Sequence, residues 1–218
     1  MTPNLDPMST VSPRPVSSVP PAAEGDQEPA LHRRAMDNLS FIRSTMERAT
    51  SFTAVPGWGG VAMGLTAIGA AWVAQRQPDP RVWLQTWLVE AVIAVGIGVY
   101  ALARKARRSK TPLLARPGRR FAMSFAPPLS VGFVLTFALA ARQEYGLLPA
   151  TWLLLYGTGV VTGGAFSIRV VPIMGLVIMG FGLAALLTPA ALGNLWMALG
   201  FGATQLAAGL IIARRYGG

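Results

Sequence analysis

Residues 82–103 read VWLQTWLVEAVIAVGIGVYALA, an apolar run of membrane-spanning length whose one charged residue is Glu90. A bilayer's hydrocarbon core of about 30 Å takes about 20 helical residues. Five further stretches of the same kind lie at 57–75, 121–141, 150–167, 171–188 and 195–213, and the last four of these hold no charged residue. They leave no room for a second water-soluble domain of any size. The expected fold is all-α: a polytopic transmembrane bundle of six helices over 56–218.

Composition agrees with that class. The chain of 218 residues is 52% hydrophobic and only 13% charged, against about 25% charged in a soluble domain. Its net charge of +10 sits in short loops between apolar spans. This is the pattern that retains loops in the cytoplasm, so no nucleic-acid partner is expected. There is no cysteine, which excludes disulfides, thiolate metal sites and a cysteine nucleophile.

The basic residues alternate from loop to loop. Arg33, Arg34, Arg43 and Arg48 precede the first span. Arg104, Lys105, Arg107, Arg108, Lys110, Arg116, Arg119 and Arg120 follow the second. Arg169 follows the fourth, and Arg214 and Arg215 end the sixth. The other side has only Arg76, Arg81 and Arg142. Positive residues favour the cytoplasm, so both termini are expected there, in a bacterial inner membrane. Trp72, Trp83, Trp87, Trp152 and Trp196 fall near the outer ends of their spans, and Trp58, Tyr100 and Tyr216 near the inner ends, as an interfacial belt would.

Residues 1–30 hold seven prolines and no apolar run resembling a signal sequence. A disordered cytoplasmic tail is expected. Residues 31–55 read differently. Leu39, Ile42, Met46 and Ala49 make one apolar stripe, with charged residues around most of the rest. That predicts an amphipathic helix on the cytoplasmic face, against anionic lipids.

Four local features stand out in the spans. Gly60-xxx-Gly64 and Gly159-xxx-Gly163 have the small-xxx-small spacing that lets helices approach closely. Gly57-Trp58-Gly59-Gly60-Val61-Ala62 matches a dinucleotide fingerprint, but no strand precedes it and a span follows. Spans one and four both read as beginning glycine-rich, GWGGVAMG and GTGVVTGGAF, in the equivalent places of an inverted three-plus-three repeat; two unrelated glycine-rich helices are the plainer reading. Pro127 and Pro128 interrupt the third span as a candidate hinge. They leave the carbonyls of Met123 and Ser124 in need of partners, so the kink is expected to face the bundle interior.

Glu90 is the one ionisable residue well inside a span. Eight residues at 1.5 Å each put it about 12 Å deep. A charge there costs at least about 2.5 kcal/mol, and a protonated glutamate costs less. Gln205, Thr158, Thr66 and Ser130 lie at comparable depth on other spans. Together they form a candidate intramembrane polar site. It binds a cation, relays a proton or lines a water path; or else Glu90 bonds Gln205 or a threonine and locks two helices.

Enzyme chemistry is not expected. His32 is the only histidine, and no acid pair, HExxH motif or nucleophile–base arrangement occurs. No cofactor or metal is implied. A second copy of the chain or a cytoplasmic protein is the other class of partner. The alternative function is a non-transporting protein that recruits a partner or senses the bilayer through its basic face.

AMDNLSFIRSTMERATSFTAVPGWGGVAMG (35–64), SFAPPLSVG (124–132), GGAFSIRVVPIMG (163–175) and IIARRYGG (211–218) resemble a family of uncharacterised bacterial six-span membrane proteins. These look like companions of small winged-helix regulators. The resemblance covers the chain from about residue 31 onward and implies no activity. The C-terminal hairpin 182–215 is also similar to acid-resistance membrane proteins of the HdeD type.

Overall fold

A computed structural model describes residues 36–42, 56–109, 116–165 and 167–216. Six of its helices are long and apolar enough to cross a membrane. They are α1 (Gly57–Ala74), α2 (Pro80–Ser109), α3 (Arg116–Ala141), α4 (Leu148–Gly164), α5 (Val170–Leu187) and α6. The last is composite: Gly193–Met197, a π-helical stretch Ala198–Ala203, and Thr204–Tyr216. No strand occurs among the described residues. The chain is a multi-pass membrane protein, and the expected spans match these helices to within a few residues at most ends. The exceptions are α2 and α3, which run well past their apolar segments into the basic loop between them. Lys and Arg are good helix formers, so nothing in 104–109 stops the helix.

Residues 36–42 are helical and belong to a separate unit of the chain, Met1–Met46. Leu39 and Ile42 of the expected amphipathic stripe are exposed there. Met46 and Ala49 lie outside the described residues, as does the expected tail 1–30.

Connections set two ends to the bundle. Residues 75–79, 142–147 and 188–192 join helices at one end, with a positive-φ turn at Gln143. The other end carries Arg104, Lys105, Arg107, Arg119, Arg120, Arg169, Arg214 and Arg215. They are called here the tryptophan end and the basic end. Across the bundle the packing order is α2–α1–α6–α5–α4–α3. In α2 and α3 only 11% of the apolar window is buried, against 39% and 44% in α1 and α4, so α2 and α3 are the outermost.

Glycine decides which helices touch at the backbone. On α1, a Cβ at Gly64 would lie 2.7 Å from the Leu206 amide nitrogen and 2.8 Å from the Gly202 carbonyl oxygen of α6. A Cβ at Gly209 on α6 would lie 2.6 Å from the Val61 nitrogen. Gly60-xxx-Gly64 is therefore a true crossing, where dispersion between backbones replaces side-chain packing. Gly159 and Gly163 also face a neighbour, but they receive the rings of Phe125 and Phe121 from α3. The α4–α5 crossing uses glycines that the spacing did not single out: Gly157 and Gly175, each against the other's carbonyl oxygen.

The glycine clusters speak against an inverted repeat and for two unrelated glycine-rich helices. In α1 they occupy the first half of the helix, and in α4 the second half. An inverted repeat would put both in the same half.

The prolines of α3 differ from expectation in one respect. Helical structure continues through both. Pro127 is exposed and Pro128 only half-buried, so the rings do not point into the bundle. One of the two freed carbonyls nonetheless has a protein donor in reach: the Thr162 hydroxyl of α4 lies 2.9 Å from the Ser124 carbonyl oxygen, shared with Thr158 O at 2.9 Å and Gly159 O at 3.2 Å on its own helix. Residue 128 has no N–H to fill that place. Thr162→Val keeps the shape and removes the donor. It is expected to lower stability in detergent by about 0.6–1.7 kcal/mol, the range for an interhelical hydrogen bond in a membrane. In a Pro128→Ala background, where an N–H returns, the same change should be nearly silent.

Candidate functional site

Glu90 lies on the single packing stripe of α2, formed by Trp83, Trp87, Glu90, Ala94, Ile97 and Ala101. Its sequence neighbours Val89, Val92 and Ile93 are exposed. The stripe follows the 3–4 spacing of a helix with one buried face. Glu90 is 7% exposed. Its Oε1 is 2.8 Å from the Thr66 hydroxyl of α1. The same hydroxyl lies 3.2 Å from the Ala62 carbonyl oxygen and 3.0 Å from that of Met63. One hydroxyl proton thus has three acceptors within reach. If it goes to Met63, Thr66 Oγ1 can accept a proton from Glu90 as a neutral acid. If it goes to Glu90, it supports a carboxylate. The pair accommodates either state of the carboxyl.

Thr66 is Glu90's hydrogen-bond partner among the described residues, and only Oε1 is engaged. No fully buried side-chain oxygen or nitrogen among those residues lacks a partner. The second carboxyl oxygen is therefore not sealed off. No basic residue of the other spans stands at this depth, since the basic side chains sit at the helix ends.

Gln205 does not join Glu90. Its side-chain amide donates to the Tyr156 hydroxyl of α4 at 2.7 Å. Tyr156 meets Phe125 of α3 and Phe201 of α6 edge-on, with ring centroids 5.8 and 5.2 Å apart. Counted from the tryptophan end at 1.5 Å per residue, Thr66, Glu90, Tyr156 and Gln205 lie roughly 12–18 Å deep. Two polar pairs, one across α1–α2 and one across α4–α6, thus share a band near mid-depth. Thr158 stays on its own helix: its hydroxyl donates to Leu154 O at 2.8 Å and lies 3.8 Å from Met179 Sδ. Ser130 is exposed and donates to Pro127 O at 2.8 Å. Neither Thr158 nor Ser130 reaches Glu90.

Gln205 lies two residues after the π-helical stretch Ala198–Ala203. Such stretches leave carbonyls unevenly spaced and are frequent at functional sites. Here the stretch contains Gly200 and Gly202, which face Leu153 of α4 and Ile68 of α1.

Towards the tryptophan end, the indoles turn inward. Trp83 and Trp87 both donate to Asn194 Oδ1, at 2.7 and 3.2 Å. Trp152 donates to Thr136 Oγ1 at 2.8 Å, and Thr136 passes its own proton to Gly132 O at 2.7 Å. Trp196 and Thr188 repeat that relay, with Thr188 donating to Ala184 O. Trp83 and Trp152 stack with centroids 5.8 Å apart. Only Trp58 and Trp72 are largely exposed, and Arg76 caps the Trp72 ring at 3.5 Å. Half of the expected interfacial belt, Trp83, Trp87, Trp152 and Trp196, is thus a packed layer inside the bundle, because an indole N–H buried among apolar helices needs a protein acceptor, while Trp58, Trp72, Tyr100 and Tyr216 are exposed.

Among the described residues, no group of three His, Cys, Asp or Glu side chains could hold a metal ion. No family model, no curated protein and no solved structure matches the chain.

Proposed function

We propose that the chain is a membrane protein that passes or senses protons or small cations through the Glu90–Thr66 pair. The observation that supports this most is an acid on a helix–helix seam, with one neutral partner and a second oxygen left open. An intramembrane acid placed only to hold helices together would be expected to have both oxygens engaged. We place the protein in a bacterial inner membrane, with the basic end and both termini in the cytoplasm and anionic lipids at the basic end. The resemblance to the uncharacterised six-span family belongs to the same proposal.

A second reading has one observation in its favour. Tyr156, Phe125, Phe201 and the tryptophan layer fill the middle of the bundle. That supports a non-transporting protein whose basic end recruits a cytoplasmic partner or senses the bilayer.

Proton flux into proteoliposomes of purified protein tests the first reading. Glu90→Gln should preserve folding, since glutamine fits the same space and can hydrogen-bond Thr66, and it should abolish flux. Glu90→Leu should lower stability by roughly 0.6–2 kcal/mol, the worth of an interhelical hydrogen bond. Absence of flux in the unmodified protein, with a silent glutamine variant, would leave the second reading standing.

A further inference from the structure

A shallow, open-sided cavity of about 240 Å³ lies at the tryptophan end, where three connections converge. On the share of about 30 Å³ per water in the liquid, it has room for about eight waters, or one small ring-shaped solute. Gln75, Gln77, Trp83, Tyr145 and Asn194 supply its functional groups. Three prolines and several small residues make the rest of the wall. No charged residue is among them.

Hydrogen-bonding capacity is unspent at this wall. Asn194 Oδ1 already accepts from the two indoles of Trp83 and Trp87. Those bonds fix the orientation of the carboxamide and leave its N–H groups for the cavity. Among the described residues, no hydrogen bond engages the side chains of Gln75 or Tyr145. Gln77 makes only a long contact of 3.4 Å to Val73 O. Carboxamides and a phenol both donate and accept. Their natural complement is a hydroxyl, which does the same. The absence of formal charge from the lining gives an ion no counter-charge, and Trp83 with the prolines offers apolar wall to a ring face.

We infer that this cavity binds an uncharged, hydroxyl-rich ring: a sugar, either free in solution or carried as the headgroup of a glycolipid. The site lies at the opposite end of α2 from the basic loop and does not involve Glu90, so it stands or falls separately from the proton reading.

The test uses the full chain, purified in a detergent without a sugar headgroup and placed in phosphatidylcholine–phosphatidylglycerol nanodiscs. Trp83 makes intrinsic fluorescence the readout. One arm titrates D-glucose; the other adds monoglucosyl-diacylglycerol to the nanodisc lipid. A saturable change in tryptophan emission is expected in at least one arm, and which arm responds identifies the source. Gln75→Ala should weaken the response at least threefold. Ala191→Phe, an exposed position on the cavity wall, should remove it, with the melting temperature unchanged in both variants. No response in either arm would overturn the inference. An equal response to glutamate or choline would overturn it too, since the lining would then not be selecting for neutral hydroxyls.

Discussion

Gly64→Val should separate α1 from α6 and cause a large loss of stability. The added carbons would meet backbone, at 2.7 Å from Leu206 N and 2.8 Å from Gly202 O. No rotamer change relieves a backbone contact, so the helices must move apart. Overpacking of a tight core costs about 1–3 kcal/mol, and this site belongs at the upper end. The same movement would pull Thr66, two residues on, away from Glu90. Gly69→Ala is the control. A Cβ at Gly69 meets nothing within 4 Å, and alanine is the better helix former, so stability should be unchanged or slightly higher. Thermal melting of the two variants in detergent checks the pair. Equal melting temperatures would mean that α1 and α6 do not cross at Gly64.

Asn194→Leu should be nearly as damaging, for a different reason. One oxygen serves two indole N–H groups, on Trp83 and Trp87. Removing it leaves two enclosed donors without an acceptor, at about 1–3 kcal/mol for each group that stays buried. A loss of about 2–4 kcal/mol is expected, together with a shift of tryptophan emission to longer wavelength as water reaches the indoles. Asn194→Asp keeps an acceptor oxygen and should recover much of the loss. If leucine and aspartate melt alike, the fork is not what holds α2 to the start of α6.

What could be read from the sequence follows from the physics of each feature. The spans were legible because hydrocarbon tolerates so few charges. Every apolar run became a helix, and the overshoot of α2 and α3 fell where basic, helix-favouring residues follow an apolar run. The Gly60–Gly64 crossing was legible because its spacing is local. The Gly157–Gly175 contact was not, because each glycine's partner is on another helix. The polar site was half legible. Glu90 and Thr66 stand out by residue type and depth, and the structure pairs them. Gln205 stood out equally, yet its partner is Tyr156, which reads in sequence as one more aromatic in an apolar run. Asn194 reads in sequence only as a turn residue after Gly193, since the indoles that occupy it lie more than 100 residues earlier. Trp83, Trp87, Trp152 and Trp196 misled, because proximity to a span's end does not say whether a ring faces lipid or protein.

Glu90 carries the functional account, and its protonation is the quantity to measure. Infrared difference spectra of the protein in nanodiscs, recorded across a pH series for wild type and Glu90→Gln, isolate this one carboxyl. The account predicts a protonated-carboxyl band in wild type that gives way to carboxylate as pH rises and that is missing from the glutamine variant. Identical difference spectra for the two proteins would show that Glu90 exchanges no proton, and would contradict it.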